Sequence, residues 1–464
     1  MTVVPAGLRR SLHEALAPRR TGRVTRLVGL RVEVEGIEAA VGDAVRIFRA
    51  GGSLDAEVIA VHGSAVACMP LGDLTGVRYG DRAEALGRPL PVIVGDGLLG
   101  RVLDGLGRPI DGGPPLVTWE EVGVDGAPPH PLRRDLIDRQ LTLGVRAMDT
   151  LVPCGRGQRL GIFAGSGVGK SSLLSMIARG TDASVSVLAL VGERGREVNE
   201  FIQRDLGPDG LARSVVVVAT SDEPALVRIR AAFTATRIAE WFRDQGRDVV
   251  LMMDSLTRFA MAQREVGLSA GEPPATRGYP PSVFSLLPKL LERAGAGERG
   301  SITGLYTVLV EGDDMNEPIA DAARSILDGH VVLSRRLATS GHFPSIDVLE
   351  SISRLESAIT SRAQRAQATE VRRLLAAYRD TRDLIEIGAY VAGANPLVDR
   401  AVQLHQGLDD FLRQDVALTV PAADAWADMA AVLGEAPAAS QVPAASQLPA
   451  ASQVPANHQQ AVPA

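Results

Sequence analysis

A glycine-rich loop that closes on Lys170 and Ser171 constrains the fold of this chain more than any other stretch. It follows the short apolar run Leu160–Phe163 and reads Gly165-Ser-Gly-Val-Gly-Lys-Ser-Ser. Alternate glycines let the backbone curl until successive N–H groups point at one anion, and a helix that begins near Lys170 adds its positive end. The pattern predicts a phosphate-binding loop (P-loop), with Lys170 on the β- and γ-phosphates and the Ser171 hydroxyl on Mg²⁺. The loop residues expected to hold the nucleotide are Gly165, Ser166, Gly167, Val168, Gly169, Lys170, Ser171 and Ser172.

The use of lysine strengthens this prediction. Lys170 and Lys289 are the only lysines among 49 basic residues, so the chain uses arginine almost everywhere else. A compact ammonium fits a phosphate cradle better than a forked guanidinium does. Ala164 stands where the usual pattern has glycine, but alanine is small enough to enter the turn.

Charge and composition exclude several classes of protein. A net charge of −6 over 464 residues argues against general electrostatic binding of nucleic acid. The chain has two cysteines, Cys68 and Cys154, and no apolar run that approaches twenty residues. We therefore expect neither a disulfide scaffold nor a membrane span, and a reducing cytoplasm fits.

Changes in residue pattern divide the chain into five predicted parts. Short alternating runs between glycine turns predict a small antiparallel β-barrel, and alternating apolar strands and helices predict an α/β domain with a parallel sheet. Helical spacing of apolar residues follows, and then a hexapeptide repeat broken by proline, which predicts a disordered tail. Between barrel and sheet, the glycine- and proline-rich passage from Gly100 to Gly112 predicts a linker. The predicted parts are an N-terminal arm (1–20), a β-barrel (21–88), a P-loop domain (89–355), a helical domain (356–434) and a repeat tail (435–464).

Polar residues at the ends of the predicted buried strands are the candidates for chemistry, because ligands of parallel sheets bind at the carboxyl ends of the strands. Glu193 follows one apolar run and is expected to polarise a water in line with the γ-phosphate, supported by Arg194 and Glu197. Asp254 ends another run and is the acid expected to hold Mg²⁺ through its waters. The predicted strands are Leu160–Phe163, Val185–Val191, Val215–Ala219, Val249–Met253, Thr307–Val310 and Val331–Leu333.

Longer phrases carry a resemblance to a known family. They are the P-loop itself, Gly192-Glu-Arg-Gly-Arg-Glu-Val, Asp254-Ser-Leu-Thr-Arg-Phe-Ala, Gly278-Tyr-Pro-Pro-Ser-Val-Phe and Glu311-Gly-Asp-Asp-Met-Asn-Glu-Pro-Ile-Ala-Asp. With the order of barrel, P-loop domain and helical end, they resemble the catalytic subunits of rotary ATP synthases and the ATPases of type III secretion, most closely the flagellum-specific branch. The resemblance spans Thr21 to Phe411 and implies a RecA-like ATPase domain.

The resemblance assigns roles to two further residues. Arg354, in Ser351-Ile-Ser-Arg-Leu, is similar to the arginine finger that reaches the nucleotide of a neighbouring subunit. Phe343, in Gly341-His-Phe-Pro, matches the aromatic residue that stacks on adenine, where the family often has tyrosine. The implied cofactors are ATP and Mg²⁺.

The resemblance also implies a cellular setting. The expected protein is a homohexameric ATPase at the cytoplasmic base of the flagellar export apparatus, peripheral to the inner membrane, that releases or unfolds export substrates. Its implied partners are the export gate, a stalk-like and a regulatory protein, export substrates and their chaperones, with a peripheral contact to the membrane and no nucleic acid.

Four other interpretations remain open at this point. The same motifs serve an injectisome ATPase, and the catalytic subunit of a rotary synthase or proton pump would need a sister subunit. A non-catalytic regulatory subunit is disfavoured because Glu193 is present. A ring helicase on RNA is disfavoured by the acidic balance and by the absence of an aromatic-rich basic face in the barrel segment.

Overall fold

The computed structural model describes residues 20–310, 312 and 314–435. The predicted N-terminal arm up to Arg19 and the predicted repeat tail from Ala436 onward lie outside the described residues. Within the part of the chain that the structure describes, no helix is both long and apolar enough to cross a bilayer.

Six antiparallel strands form a closed barrel at the start of the described chain, in the order β1-β2-β5-β4-β3-β6. Alternate residues point inward, and Val24, Val34, Ile47 and Cys68 are fully buried. The predicted barrel is confirmed, and the strand that closes it, β6, was missing from the predicted runs. The strands are β1 (Thr21–Val28), β2 (Arg31–Glu35), β3 (Ala44–Arg49), β4 (Gly52–His62), β5 (Ala65–Pro70) and β6 (Arg82–Ala85).

The segment after the barrel contains more regular structure than its glycines and prolines predicted. Strands β7 (Pro91–Val94) and β9 (Glu120–Gly123) form a small antiparallel sheet. Between them, β8 (Val102–Asp104) joins the edge of the central sheet. The prediction of a plain linker from Gly100 to Gly112 was therefore wrong, since Leu103 is fully buried in that sheet.

A nine-stranded, mostly parallel sheet forms the centre of the molecule, in the order β19-β18-β12-β17-β15-β13-β14-β8, with β16 paired to β17. Only β16 and β19 run antiparallel to their neighbours. The remaining strands are β10 (Gln140–Leu141), β11 (Cys154–Gly155), β12 (Arg159–Ala164), β13 (Val185–Glu193), β14 (Ser214–Thr220), β15 (Asp248–Asp254), β16 (Gly295–Ala296), β17 (Ser301–Leu309), β18 (Gly329–Leu333) and β19 (Ile346–Ser353).

Helices cover both faces of this sheet, which explains why its strands are continuous apolar runs. Along β13, Val187 and Ala189 join one buried cluster, while Leu188 and Leu190 join the other. The helices are α1 (Arg146–Leu151), α2 (Lys170–Gly180), α3 (Gly195–Glu200), α4 (Gly207–Ala212), α5 (Ala225–Asp244), α6 (Leu256–Ala270), α7 (Pro281–Leu291), α8 (Pro318–Ile326), α9 (Arg335–Thr339), α10 (Glu356–Ile359), α11 (Arg362–Glu386), α12 (Pro396–Leu412) and α13 (Ala422–Leu433).

The predicted helical end consists mainly of α11, α12 and α13. Ser361 and Gln364 form a capping box at the start of α11, and Asn395 caps α12 with Pro396 in its first turn. Leu374, Phe411 and Trp426 bury themselves in the same cluster as the helix that follows the P-loop. The helical end thus shares a buried core with the helix that follows the P-loop.

Candidate active site

The P-loop connects β12 to α2 with the backbone that the glycines predicted. Gly167 and Gly169 have φ values of 75° and 93°, which L-residues rarely adopt. No side chain caps the first turn of α2, and the space where a side chain on Gly167 would lie is open. The uncapped N–H groups of the helix start and the open loop therefore form a cradle that fits a phosphate.

Two side chains from a distant segment hold the outer side of this loop. Arg335 Nη1 donates to the Ser166 carbonyl at 3.2 Å, and Ser345 Oγ donates to the Val168 carbonyl at 2.5 Å. Both residues flank the turn between β18 and β19. No local pattern predicts either contact, because Arg335 and Ser345 lie 169 and 177 residues from their acceptors along the chain.

Lys170, Glu193 and Asp254 come together at the carboxyl ends of β12, β13 and β15, as the sequence predicted. Lys170 Nζ lies 2.5 Å from Asp254 Oδ1 and 3.4 Å from Glu193 Oε1. All three side chains are largely buried, with 13%, 15% and 7% of the Lys170, Glu193 and Asp254 side chains exposed. One ammonium thus bridges two carboxylates beside the phosphate cradle.

A β-bulge at Gly192 directs Glu193 into this cluster. In the pairing with β14, Val191 lies opposite Ala219 and Glu193 opposite Thr220, so Gly192 is skipped. Gly192 has φ 72°, and a side chain there would meet the Arg258 side chain at 3.0 Å. Glycine is therefore required at this position both by the backbone and by the close approach of Arg258.

Charge and burial together shift the pKa values of Lys170 and Glu193 in this cluster. Burial alone would lower the pKa of Lys170, but the charges of Asp254 and Glu193 outweigh it and raise that pKa. Burial raises the pKa of Glu193, and the charge of Asp254 and a hydrogen bond that the protonated Glu193 donates to Glu197 raise it further, against the opposing effect of Lys170. Glu193 thus has the perturbed carboxylate that a group acting on a water requires.

The donor set beside the cradle suits a magnesium ion. Asp254 Oδ1 accepts a hydrogen bond of 2.7 Å from Thr307 Oγ1, which fixes the carboxylate, and the Ser171 side chain is exposed at the start of α2. Hard oxygen ligands, few from protein and the rest from water and phosphate, are what Mg²⁺ prefers. Thr307 was missed as a site residue, although its position in a predicted buried strand was a usable signal.

Phe343 lies against the P-loop. Its ring is the nearest group to where a side chain on Gly169 would be, with Phe343 Cε1 at 3.2 Å from that position. The residue is 40% exposed, although it is large and apolar. An aromatic face beside the phosphate cradle, open to solvent, fits the predicted stacking of a base.

Arg194 and Arg354 do not join this cluster. Arg194 is 79% exposed and pairs with Glu197 at 3.1 Å. Arg354 is exposed after β19, and because β19 is antiparallel to β18, it lies at the amino-terminal edge of the parallel strands. β19 is eight residues long, so Arg354 is separated from the loop edge by more than about 20 Å.

Family models match most of the described chain. The nucleotide-binding domain of the ATP synthase alpha/beta family matches residues 144–353, and the T3SS EscN ATPase C-terminal domain matches residues 360–431.

Individual proteins are similar over nearly their whole length. The flagellum-specific ATP synthase of Bacillus subtilis is 52% identical over 399 residues, which cover 85% of this chain and 91% of the relative. The type 3 secretion system ATPase of Xanthomonas euvesicatoria is 49% identical over 409 residues, covering 88% and 92%. The solved structure of the assembled ATPase EscN from the enteropathogenic E. coli type III secretion system matches with a TM-score of 0.84 and 46% identity, over 89% of this chain and 100% of that one.

Proposed function

This chain belongs to the ATP synthase alpha/beta family, within it to the type III export ATPases, and we propose that it is the ATPase of a flagellar export apparatus. The observation that carries the proposal is the convergence of Lys170, Glu193 and Asp254 beside the P-loop. The flagellar assignment is supported by flagellum-specific relatives at 49–53% identity.

The proposed reaction is hydrolysis of ATP with Mg²⁺. The loop N–H groups and Lys170 bind the phosphates, and the Phe343 ring supports the base. Ser171 and Asp254 hold Mg²⁺, which neutralises charge on the phosphate oxygens when bound. Glu193 orients the attacking water and accepts its proton.

Binding of nucleotide requires Lys170 to exchange partners. In the structure its ammonium is engaged by Asp254 and Glu193. When the phosphates take Lys170 as their counter-ion, Asp254 becomes available to the metal and Glu193 to the water.

We propose that the active form is a homohexameric ring in which Arg354 acts on the nucleotide of a neighbouring subunit. The position of Arg354 supports this, because it lies at the sheet edge opposite to its own P-loop. The related EscN has been solved as an assembled ATPase and in complex with its central stalk EscO. By analogy we propose a stalk-like partner here.

The remaining features of the cellular setting rest on the family alone. They are a cytoplasmic location at the inner face of the flagellar base, a contact with the export gate, a regulatory partner, and export substrates with their chaperones. An injectisome ATPase is the second candidate, because type 3 secretion system ATPases are equally similar at 49–52% identity.

Subunit mixing tests the proposed ring. Lys170→Ala loses the counter-ion of the phosphates, and Arg354→Ala loses the finger, so each protein alone is expected to be nearly inactive. An arginine finger is worth on the order of 10³ to 10⁵ in rate. After subunit exchange, an intact P-loop of one chain faces an intact finger of the other, and ATPase activity is expected to reappear.

Activity that stays at the level of the two components, although exchange is demonstrated, contradicts action across the interface. Wild-type rings doped with Arg354→Ala chains are the control, since they reveal whether a ring tolerates inactive sites. Motility of a deletion strain separates the flagellar from the injectisome assignment: a fully motile strain contradicts the flagellar one.

A further inference from the structure

The strand that carries the P-loop at its carboxyl end has a second polar cluster at its amino end. Gln158, just before β12, donates from Nε2 to the Asp328 carbonyl and to Ser353 Oγ, both at 3.1 Å. Arg159, the first residue of β12, donates from its backbone N and its Nε to Asp328 Oδ2 at 3.0 and 3.1 Å. Two consecutive residues at the start of β12 therefore hold Asp328 by both its carbonyl and its carboxylate.

Asp328 in turn holds Arg354. The Arg354 backbone N donates to the Asp328 carbonyl at 3.0 Å, and Arg354 Nη2 donates to the Arg324 carbonyl at 3.2 Å. Ser353, which accepts from Gln158, is the residue directly before Arg354. The backbone at Arg354 is thus held at Ser353 and at the Arg354 N–H by contacts that lead back to Gln158 and β12.

The residues in this series of contacts become more exposed from Gln158 to Arg354. Gln158 is fully buried, the Arg159 side chain is 12% exposed and that of Asp328 is 28% exposed, while Arg354 is exposed. Arg159 also pairs with Glu292 at 2.6 Å. The exposed Arg354 side chain thus extends from a backbone segment that buried hydrogen bonds and a partly buried ion pair hold in place.

We propose that Gln158, Arg159 and Asp328 are positioning residues that aim Arg354 at the nucleotide of the neighbouring subunit. The inference rests on the proposed function, because it requires Arg354 to act on a neighbour. Strand β12 would then contribute to two nucleotide sites. Its carboxyl end leads into the P-loop of its own subunit, and its amino end positions Arg354 for the site of the neighbouring subunit. A displacement of this base by about 1 Å is expected to cost up to about a hundredfold in rate without altering nucleotide binding in the same subunit.

The test introduces Asp328→Asn into one component of the mixed rings at a time. The substitution keeps the shape but removes the charge that pairs with Arg159. In the finger-donating chain, which carries Lys170→Ala, it is expected to lower the recovered activity about tenfold or more. In the P-loop-donating chain, which carries Arg354→Ala, there is no finger to misplace, so the recovered activity is expected to stay within about twofold.

Asp248→Asn is the matched control. Asp248 pairs with Arg156 at 2.6 Å at the same edge of the same sheet, two strands from β12. Asp248→Asn is expected to change the recovered activity equally, whether it is in the finger-donating or in the P-loop-donating chain. In homomeric rings, Asp328→Asn is expected to lower kcat and leave the KM for ATP unchanged, and Asp328→Glu is expected to restore part of kcat.

The proposal is overturned if Asp328→Asn lowers the recovered activity equally in the finger-donating and the P-loop-donating chain, or in neither. Such a result would not contradict the role of Arg354 as the finger. If Asp328→Asn does not fold, Ser353→Ala removes one of the two acceptors of Gln158 Nε2. It is expected to give a smaller loss, again only when the substitution is in the finger-donating chain. If the mixture of Lys170→Ala and Arg354→Ala chains without further substitution recovers no activity after exchange, the proposed ring is overturned and this inference with it.

Discussion

Lys170 Nζ lies 2.5 Å from Asp254 Oδ1, so the helix that follows the P-loop is tied to the end of β15 by a buried ion pair. The same ammonium reaches Glu193 on β13. Two carboxylates at the ends of different strands therefore share one cation beside the P-loop.

Glu193→Gln is expected to retain nucleotide binding and to lower ATP hydrolysis by at least about a hundredfold. The amide keeps the shape of the side chain but cannot accept a proton from water. Steady-state ATPase assays and titration with a fluorescent nucleotide measure the two effects separately. Glu200→Gln, an exposed residue of the same segment, is the control, and near-normal turnover of Glu193→Gln removes Glu193 from the catalytic role.

On the acid side of the pH profile, kcat/KM is expected to fall with an apparent pKa above the ordinary glutamate value of about 4.3. Burial and Asp254 raise the pKa of Glu193, and the base works only when deprotonated, so activity falls as the pH drops through this raised pKa. Glu197→Gln offers an amide N–H in place of the carboxyl group that raises the pKa of Glu193. The fall in kcat/KM is therefore expected to move to lower pH in that variant, and a shift to higher pH contradicts the assignment.

Thr307→Val is expected to raise the Mg²⁺ concentration needed for half-maximal activity, by about tenfold. The substitution keeps the side-chain volume but removes the 2.7 Å hydrogen bond that orients Asp254. Thr303→Val is the matched control, because it removes a hydrogen bond of 2.8 Å that another buried threonine of the same strand accepts from the Gly157 backbone N–H. An equal effect of both variants on the Mg²⁺ requirement shows that loss of stability, and not orientation of Asp254, is responsible.

Phe343→Ala is expected to raise the KM for ATP by about tenfold and to change kcat little, because stacking of a base on an aromatic ring contributes about 1–3 kcal/mol. Phe343→Tyr keeps the ring face and is expected to bind ATP normally. Tyr79→Ala, which removes an aromatic side chain that is 79% exposed on the barrel, serves as the control. A lowered kcat with unchanged KM in Phe343→Ala places the residue outside the base site.

Local patterns in the sequence were enough to predict the centre of the molecule. The P-loop conformation follows from its glycines, and the buried strands follow from continuous apolar runs, because both depend on residues adjacent in the chain. The polar residues at the strand ends followed from the rule that ligands bind there, and Lys170, Glu193 and Asp254 do converge. The predicted order of barrel, parallel sheet and helical end is confirmed.

Tertiary structure alone decided the pairings between distant residues. Strands β6 and β8 are four and three residues long, and they exist because partners far along the chain complete their hydrogen bonds. Thr307 orients Asp254, Ser345 holds the P-loop, and Arg194 turns away to Glu197, none of which a local pattern encodes. The antiparallel return of β19 is what carries Arg354 to the edge opposite its own P-loop. Short segments gain too little from local interactions to fix such arrangements, so the packing of the whole sheet determines them.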